Sequence, residues 1–549
     1  MQANQPLSPR VVSKRGRNAP RSKNGCWTCR TKKVKCDEER PRCGRCLRLQ
    51  LFCDYAPRQF KCDSLIAPNK PSASSMPTHL PELSNSACSI DLSSADHEAI
   101  RYFRTTFASI RHTKNPHYSM YAIIFNMAQR EPMVMRAILA LGNRELESRR
   151  QGIDNGLAVA DGRTRKHSVS RVQHYSAALR LMADSLGGGS DVENRPLDID
   201  TIYATLFLMV VYESKYGDAR CSGLSNHLAG AAVVLKHHFR FPLQMAITSP
   251  DQPSKVALMQ RGQENNGQSL SLFSARVLVY LATHDASAST FGLGGEINAA
   301  LNQILPTQNP GASMMNGPAA RLHRFSYPLY RTIWGNDYPQ SELLDDVNNR
   351  DIFALATARA QLRFMVAQLA KLHGELARQR CLEIGLFVQD VESRFGELLE
   401  VAGQLSIATD SSQRLVANIR NIVPQYYATL IEFGRVKRRL GLDDSPPSED
   451  HMRNIMNLAL QMFKHQGDEA LVRIAWPLFI VGLETSDELH REWILSRFQA
   501  MGCYGKNIQR AHRFLMTAVK LKALHMNLGG VMDLERIQSE SEDLKLFVI

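Results

Sequence analysis

The sequence predicts an all-α protein with a small cysteine-rich N-terminal unit, a flexible linker and a large helical body. Three observations predict it. Six of the eleven cysteines lie within residues 26–53. From Ser93 to about 528, apolar residues recur at helical spacing. Strand signals are sparse, with little strict alternation and few Asn-Gly or Asp-Gly turns between branched residues.

Residues 1–25 contain Pro, Ser, Lys and Arg without apolar periodicity, and are expected to form a disordered basic arm. Its stretch "KRGRNAPRSK" (14–23) suits a nuclear import signal or an additional phosphate grip. There is no apolar core of a signal peptide, so export is not expected and the thiols should stay reduced, which counts against a disulfide framework. The longest apolar runs, such as "ATLFLMVVY" (204–212), are too short to cross a bilayer, so no membrane partner is expected. Charge is unevenly spread. Residues 10–61 hold sixteen Lys and Arg against four acids, so +12 of the chain's net +14 sits there. A basic head on a near-neutral body suggests that the head meets a polyanion.

Residues 54–92 carry five prolines, repeated serines and few apolar side chains, the composition of a linker. No heptad pattern follows the cysteines, so any pairing into a homodimer falls to the helical body rather than to a coiled coil. That body, 93–530, starts at a capping box, Ser93 to Asp96, followed by a stripe of Ile100, Phe103, Phe107 and Ile110. A helix is expected to begin near Pro132, and another to stop at Gly187 to Gly189. Further helices are expected near 198–216, 224–239, 272–286, 351–373, 385–406, 413–440, 452–465, 487–501 and 508–528, with irregular loops at 241–270 and 303–320. Residues 531–549 form an acidic-hydrophobic tail suited either to binding coactivators or to docking on the body.

The cysteines follow the pattern C-x2-C-x6-C-x6-C-x2-C-x6-C, and its second half repeats the first at a shift of seventeen residues. Thiolate is the soft ligand that tetrahedral zinc accepts. Two tetrahedral ions need eight ligand positions, and six sulfurs fill them only if two bridge. The two halves differ. "RTKKVK" after Cys29 is cationic and faces a polyanion, whereas "LRLQLF" after Cys46 is apolar and is expected to pack and support. A short helix presenting Lys32 and Lys33 would put an ammonium near guanine O6 and N7 in the major groove. Arg30, Lys35 and Arg45 would hold phosphates.

In this stretch, which includes "CRTKKVKCDEERPRCGRC" with its acidic turn and Pro41, the chain closely resembles the fungal Zn(II)2Cys6 binuclear cluster transcription factors. The resemblance implies a two-helix binuclear zinc cluster over 26–53 with two structural Zn2+ ions. Cys26, Cys29, Cys36 and Cys43 would bind one ion, and Cys26, Cys43, Cys46 and Cys53 the other. It also implies Lys33 as the base reader on double-stranded DNA carrying a CGG triplet, and a proline at 41 in the loop between halves. "LSNHLAGAAVVLKHH" (224–238), "VYLATHDASASTFGLGG" (279–295) and "IAWPLFIVGLETSDELHREWIL" (474–495) resemble the fungal-specific transcription factor helical domain of those regulators. A nuclear RNA polymerase II regulator of a metabolic or secondary-metabolite gene set follows as the expectation, with the transcription machinery or coactivators as partners. The rival is a zinc-scaffolded protein-interaction module.

No catalytic constellation supports an enzyme. His237–His238 and His284–Asp285 form no HExxH, and no G-x-S-x-G accompanies them. "FGLGG" (291–295) lacks the context of a dinucleotide site and suits a helix-terminating glycine turn. Trp476–Pro477 and Trp493 suit a helix start and core. Cys62, Cys88, Cys221, Cys381 and Cys503 lack ligand spacing and are expected to be structural or incidental.

Overall fold

A computed structural model describes residues 25–26, 28–29, 34–49, 53, 55, 90–111, 113–153, 162–187, 198–238, 270–305, 316–409, 413–525 and 547–549. Residues 1–24, Arg30, Lys32, Lys33, most of the expected linker including Cys62 and Cys88, most of the loop expected at 241–270 and most of the expected tail lie outside them. The chain divides into two compact units, Met1–Leu83 and Ser84–Ile549. All regular structure among the described residues is helical.

In the N-terminal unit the helix Gly44–Arg48 is a single turn, too short to persist on propensity alone. Local bonds hold it. Cys43 is its N-cap, with the sulfur accepting from the Cys46 N–H, and Asp37 reaches across to accept from the N–H groups of Gly44 (3.1 Å) and Arg45 (3.2 Å). The Arg40–Pro41 peptide is cis.

In the larger unit the expected capping box forms at the start of the helix Ser94–Tyr102. The Asp96 N–H donates to Ser93 Oγ (3.2 Å) and the Ser93 N–H donates to the Asp96 carboxylate (3.0 Å). Phe103 and Phe107 of the predicted stripe are buried and Ile100 and Ile110 are half-buried, with a π-turn at Phe103–Phe107 inside the run. The helices Pro132–Ile153, Gly162–Gly187, Ile199–Tyr216, Ser222–His238 and Leu272–Ser289 follow. "ATLFLMVVY" lies in Ile199–Tyr216, whose side chains are buried on nearly every face, so the helix is central. Leu272–Ser289 packs against it and against Arg350–Leu369, which packs in turn on Arg414–Arg439. These last three helices contribute to the lining of a cavity in the body.

Several predicted boundaries move. The helix expected at 385–406 starts at Gly374. Its first turns carry Leu376 and Leu382 exposed to solvent, so no apolar stripe announces them. The helices Met120–Ala128, Glu296–Ile304, Pro318–Phe325 and Gln340–Asn348 were not among the segments expected, and two of them cut into the loop expected at 303–320, while Ala475–Glu484 starts where Trp476–Pro477 suggested a helix start. Gln340–Asn348 is almost without buried side chains and is fastened instead by Lys114, whose buried ammonium meets Glu342 (3.0 Å), Asp346 (2.7 Å) and the Tyr338 hydroxyl (2.6 Å).

The glycine turn after Leu272–Ser289 matches its reading. Gly292 and Gly295 have φ of 77° and 108°, the left-handed region that favours glycine. Asp285 is not a catalytic acid but the turn's anchor. Its buried carboxylate accepts from the N–H groups of Gly295 (2.8 Å) and Asn298 (3.0 Å) and from Asn298 Nδ2 (2.8 Å). Of the tail, Phe547 and Val548 are buried in the core, with the Phe547 ring 5.2–5.6 Å from those of Phe291, Phe479 and Phe514. Among the described residues, no helix is long and apolar enough to cross a membrane.

Candidate metal centre and nucleic-acid interface

The six clustered cysteines converge. The sulfurs of Cys26, Cys29, Cys43 and Cys46 all lie within 4.8 Å of one another, and all four residues are buried. Cys26 Sγ is 3.8 Å from both Cys43 Sγ and Cys46 Sγ, and Cys29 Sγ is 3.8 Å from Cys43 Sγ and 4.0 Å from Cys46 Sγ. A tetrahedron with zinc–sulfur bonds of about 2.3 Å has edges of about 3.8 Å, so the spacing fits zinc thiolate coordination. A second group joins Cys36 and Asp37 to Cys43. Burial pushes the thiols of Cys26, Cys29 and Cys46 up to about 12, so a metal that takes these sulfurs must displace protons.

The seventeen-residue repeat of the sequence reappears as a repeat of contacts. The Cys26 N–H donates to Cys36 Sγ (3.5 Å), and seventeen residues on the Cys43 N–H donates to Cys53 Sγ (3.3 Å). The Cys29 N–H donates to Cys26 Sγ (3.4 Å), and the Cys46 N–H to Cys43 Sγ (3.4 Å). N–H donors aimed at sulfur favour thiolate, the form that ligates metal. Cys26 and Cys43 occupy equivalent, central positions in this pattern. The four mutually close sulfurs, however, are two from each half, rather than either foursome that the resemblance implied.

Two supporting residues were not singled out as site residues from the sequence. Asp37 lay within an acidic turn, the signal available for its capping role. Tyr55 sits with its hydroxyl 3.5 Å from Cys36 Sγ, donates to the Glu39 carbonyl (3.2 Å), and carries the Arg40 guanidinium over its ring at 5.1 Å. A lone tyrosine after the last cysteine gave no pattern to find it by.

Of the predicted DNA contacts, Lys33, Lys32 and Arg30 lie outside the described residues. Lys35 is exposed, and Arg45 is half-buried with its main-chain N–H held by Asp37. The expectation that the second half packs through its leucines is not met by Leu47 and Leu49, which are exposed; Cys46 is the buried residue of their helix. One turn of helix against a knot of sulfurs offers no apolar surface broad enough to cover them. Cys221, Cys381 and Cys503 are free thiols outside both cysteine groups.

Comparison with known families matches the fungal Zn(2)-Cys(6) binuclear cluster domain over residues 24–66 and the fungal specific transcription factor domain over residues 99–518. Similar proteins include sterol uptake control protein 2 of Candida albicans, 42% identical over 59 residues, which are 10% of this chain and 8% of that protein. Transcriptional regulatory protein UME6 of Saccharomyces cerevisiae is 52% identical over 50 residues, 9% of this chain and 6% of that protein. The aspercryptin biosynthesis cluster-specific transcription regulator atnN of Emericella nidulans is 60% identical over 38 residues, 7% of this chain and 6% of that protein. The chain thus spans under a tenth of these relatives' lengths. No solved structure matches it. The cysteine knot and the long helical match together place this chain in the family of fungal Zn(2)-Cys(6) transcription regulators, DNA-binding, zinc-holding proteins rather than enzymes.

Proposed function

We propose that this protein is a nuclear regulator of RNA polymerase II transcription whose cysteine module holds two zinc ions and reads CGG-type triplets. The observation that carries the reading is the seventeen-residue repeat of N–H···S contacts, with Cys26 and Cys43 at its centre. Two tetrahedral ions sharing those two sulfurs take Cys29 and Cys36 on one side and Cys46 and Cys53 on the other. Every coordination position is then sulfur, which leaves no open place for a substrate and makes the zinc structural. The segment after Cys29, fixed by the metals, presents Lys33 with Lys32 beside it to guanine O6 and N7. Arg30, Lys35 and Arg45 hold phosphates and set the register. In this reading residues 1–25 serve import, 54–92 link the reader to the regulatory domain 93–530, and 531–549 close the chain. The similarity to the Emericella biosynthesis cluster-specific regulator supports a metabolic or secondary-metabolite gene set as the target. Coactivators and a second copy of the chain are the partners expected of the helical body.

The test selects binding sites from random duplex DNA with full-length protein, beside a chelated control. Zinc-dependent enrichment of CGG is expected, in pairs if two copies bind together. Lys33→Ala should lower discrimination for the triplet by about 1–3 kcal/mol, while Arg30→Ala weakens all sequences alike. Zinc-dependent binding with no enriched triplet would overturn the reading. The exposed Leu47 and Leu49 favour the rival interaction module, which a complete absence of duplex binding at low salt would promote.

A further inference from the structure

We propose that the cavity inside the helical body binds a small organic anion, a carboxylate or phosphate ester carried on an apolar or aromatic body. The site stands apart from DNA reading and can fail without it.

The cavity has a volume of about 440 Å³, the size of a small-molecule site. Its lining holds eight arginines and Lys215 but one acidic side chain, Asp346. Asp346 is already committed to Lys114 (2.7 Å) and Arg414 (3.0 Å), and Lys215 is paired with Glu145. Among the described residues, the arginines that remain are not paired with carboxylate side chains. Arg276 donates to the Ser326 carbonyl (3.1 Å) and meets His323 Nδ1 (3.3 Å). Arg363 donates to Thr290 Oγ1 (2.9 Å), Ser287 Oγ (3.1 Å) and a main-chain oxygen of Ile549 (3.4 Å). Arg473 donates to the main-chain oxygens of Ser109 (2.7 Å) and Ile110. The acids whose charge reaches Arg363 and Arg473 are Glu432 and Glu469, which are engaged by Arg435 and Arg149. Even with a full negative charge at Ile549, the basic groups outnumber the acids.

Arg359 is the decisive residue. It is 6% exposed, lines the cavity, and its buried Nε has no hydrogen-bond partner among the described residues. Burial without a counter-ion lowers its pKa to about 10. A guanidinium taken out of water with nothing to pair it is unfavourable, and its fork of N–H donors matches a carboxylate or phosphate. Arg363 stands one turn further along the same helix, so both project to the same side. The Arg363 guanidinium lies 3.6 Å from the centre of the Trp476 ring, and Trp476, Tyr280 and Val279 give the cavity apolar walls. Charge fixes one end of the ligand and the aromatic wall takes the other.

Calorimetric titration of the full-length protein with 2-naphthoate, 2-naphthyl phosphate and neutral 2-naphthol tests this. Both anions, or one of them, should bind at least tenfold more tightly than naphthol. The better anion identifies whether carboxylate or phosphate is the natural head group, and equal binding means that charge alone is read. Arg359→Met should weaken the anion at least tenfold while the free protein unfolds at the same or a higher denaturant concentration. Should that variant not fold, Ala356→Phe fills the same cavity with every charge kept, and should also abolish binding. Naphthol binding as tightly as the anions, no binding of either anion, or unchanged anion affinity in a folded variant would overturn the proposal.

Discussion

Replacing Asp37 by alanine separates two roles that its position allows, helix cap and metal ligand. Its carboxylate accepts from the N–H groups of Gly44 (3.1 Å) and Arg45 (3.2 Å), and it also lies in a group with the sulfurs of Cys36 and Cys43. As a cap, loss of the side chain costs about 1 kcal/mol. Loss of its charge beside the amino end of the helix adds roughly 0.5 kcal/mol at an exposed site. In a small zinc module metal binding and folding are one equilibrium, so the sum of about 1.5 kcal/mol appears as roughly a tenfold loss in zinc affinity. A graded chelator competition on the full-length protein, read by retained zinc, measures it. Asp37→Asn keeps an acceptor oxygen and should lose only a fewfold. A thousandfold loss in both variants would mean that Asp37 is a ligand, and no change in either would mean that the cap carries nothing. Both results refute the reasoning.

Phe547→Ala removes a ring packed among three others and should destabilise the helical body by about 3–5 kcal/mol, measured by denaturant unfolding with the linked drop in thermal midpoint. Asp285→Ala removes the acceptor of three N–H groups at the glycine turn, two of them buried on Asn298, and should cost roughly 2–4 kcal/mol, whereas a surface carboxylate such as Asp351 should be near neutral to replace. The pH dependence follows from His227, buried with Nε2 2.7 Å from the Tyr175 hydroxyl and held by burial down to about 4. Between its unfolded value near 6.5 and that folded value the unfolded chain binds more protons. Stability should therefore fall from pH 6.5 toward pH 4, and since burial lowers His284 and His323 as well, His227→Phe should reduce that slope in urea midpoints by one histidine's share; an unchanged slope would remove His227 as a source.

The convergence of the cysteines was legible because its information is local. Sulfur is the chemistry, a two-residue gap lets two cysteines share one ion, and the seventeen-residue repeat survives intact as N–H···S contacts. The capping box at Ser93 and the glycine turn at 292–295 were legible for the same reason, since each is a bond made within a few residues. Helices with one buried stripe, such as Ser222–His238, fell within two residues of where periodicity put them. Met120–Ala128 and Glu296–Ile304 were missed because they are too short for a period to declare itself. The amino-terminal turns of Gly374–Gln404 were missed because their leucines face solvent.

What the sequence by itself determined, then, is the chemistry of the head and the helical class of the body. Tertiary structure alone decided the anchoring of Asp285, the docking of Phe547 and the gathering of Arg276, Arg359, Arg363 and Arg473 around one cavity. Those arginines are up to 197 residues apart and no spacing rule links them. The physical reason is that a charge buried by distant helices reads in sequence as any surface charge does. Its burial, and the partner it lacks, exist only once those helices have packed.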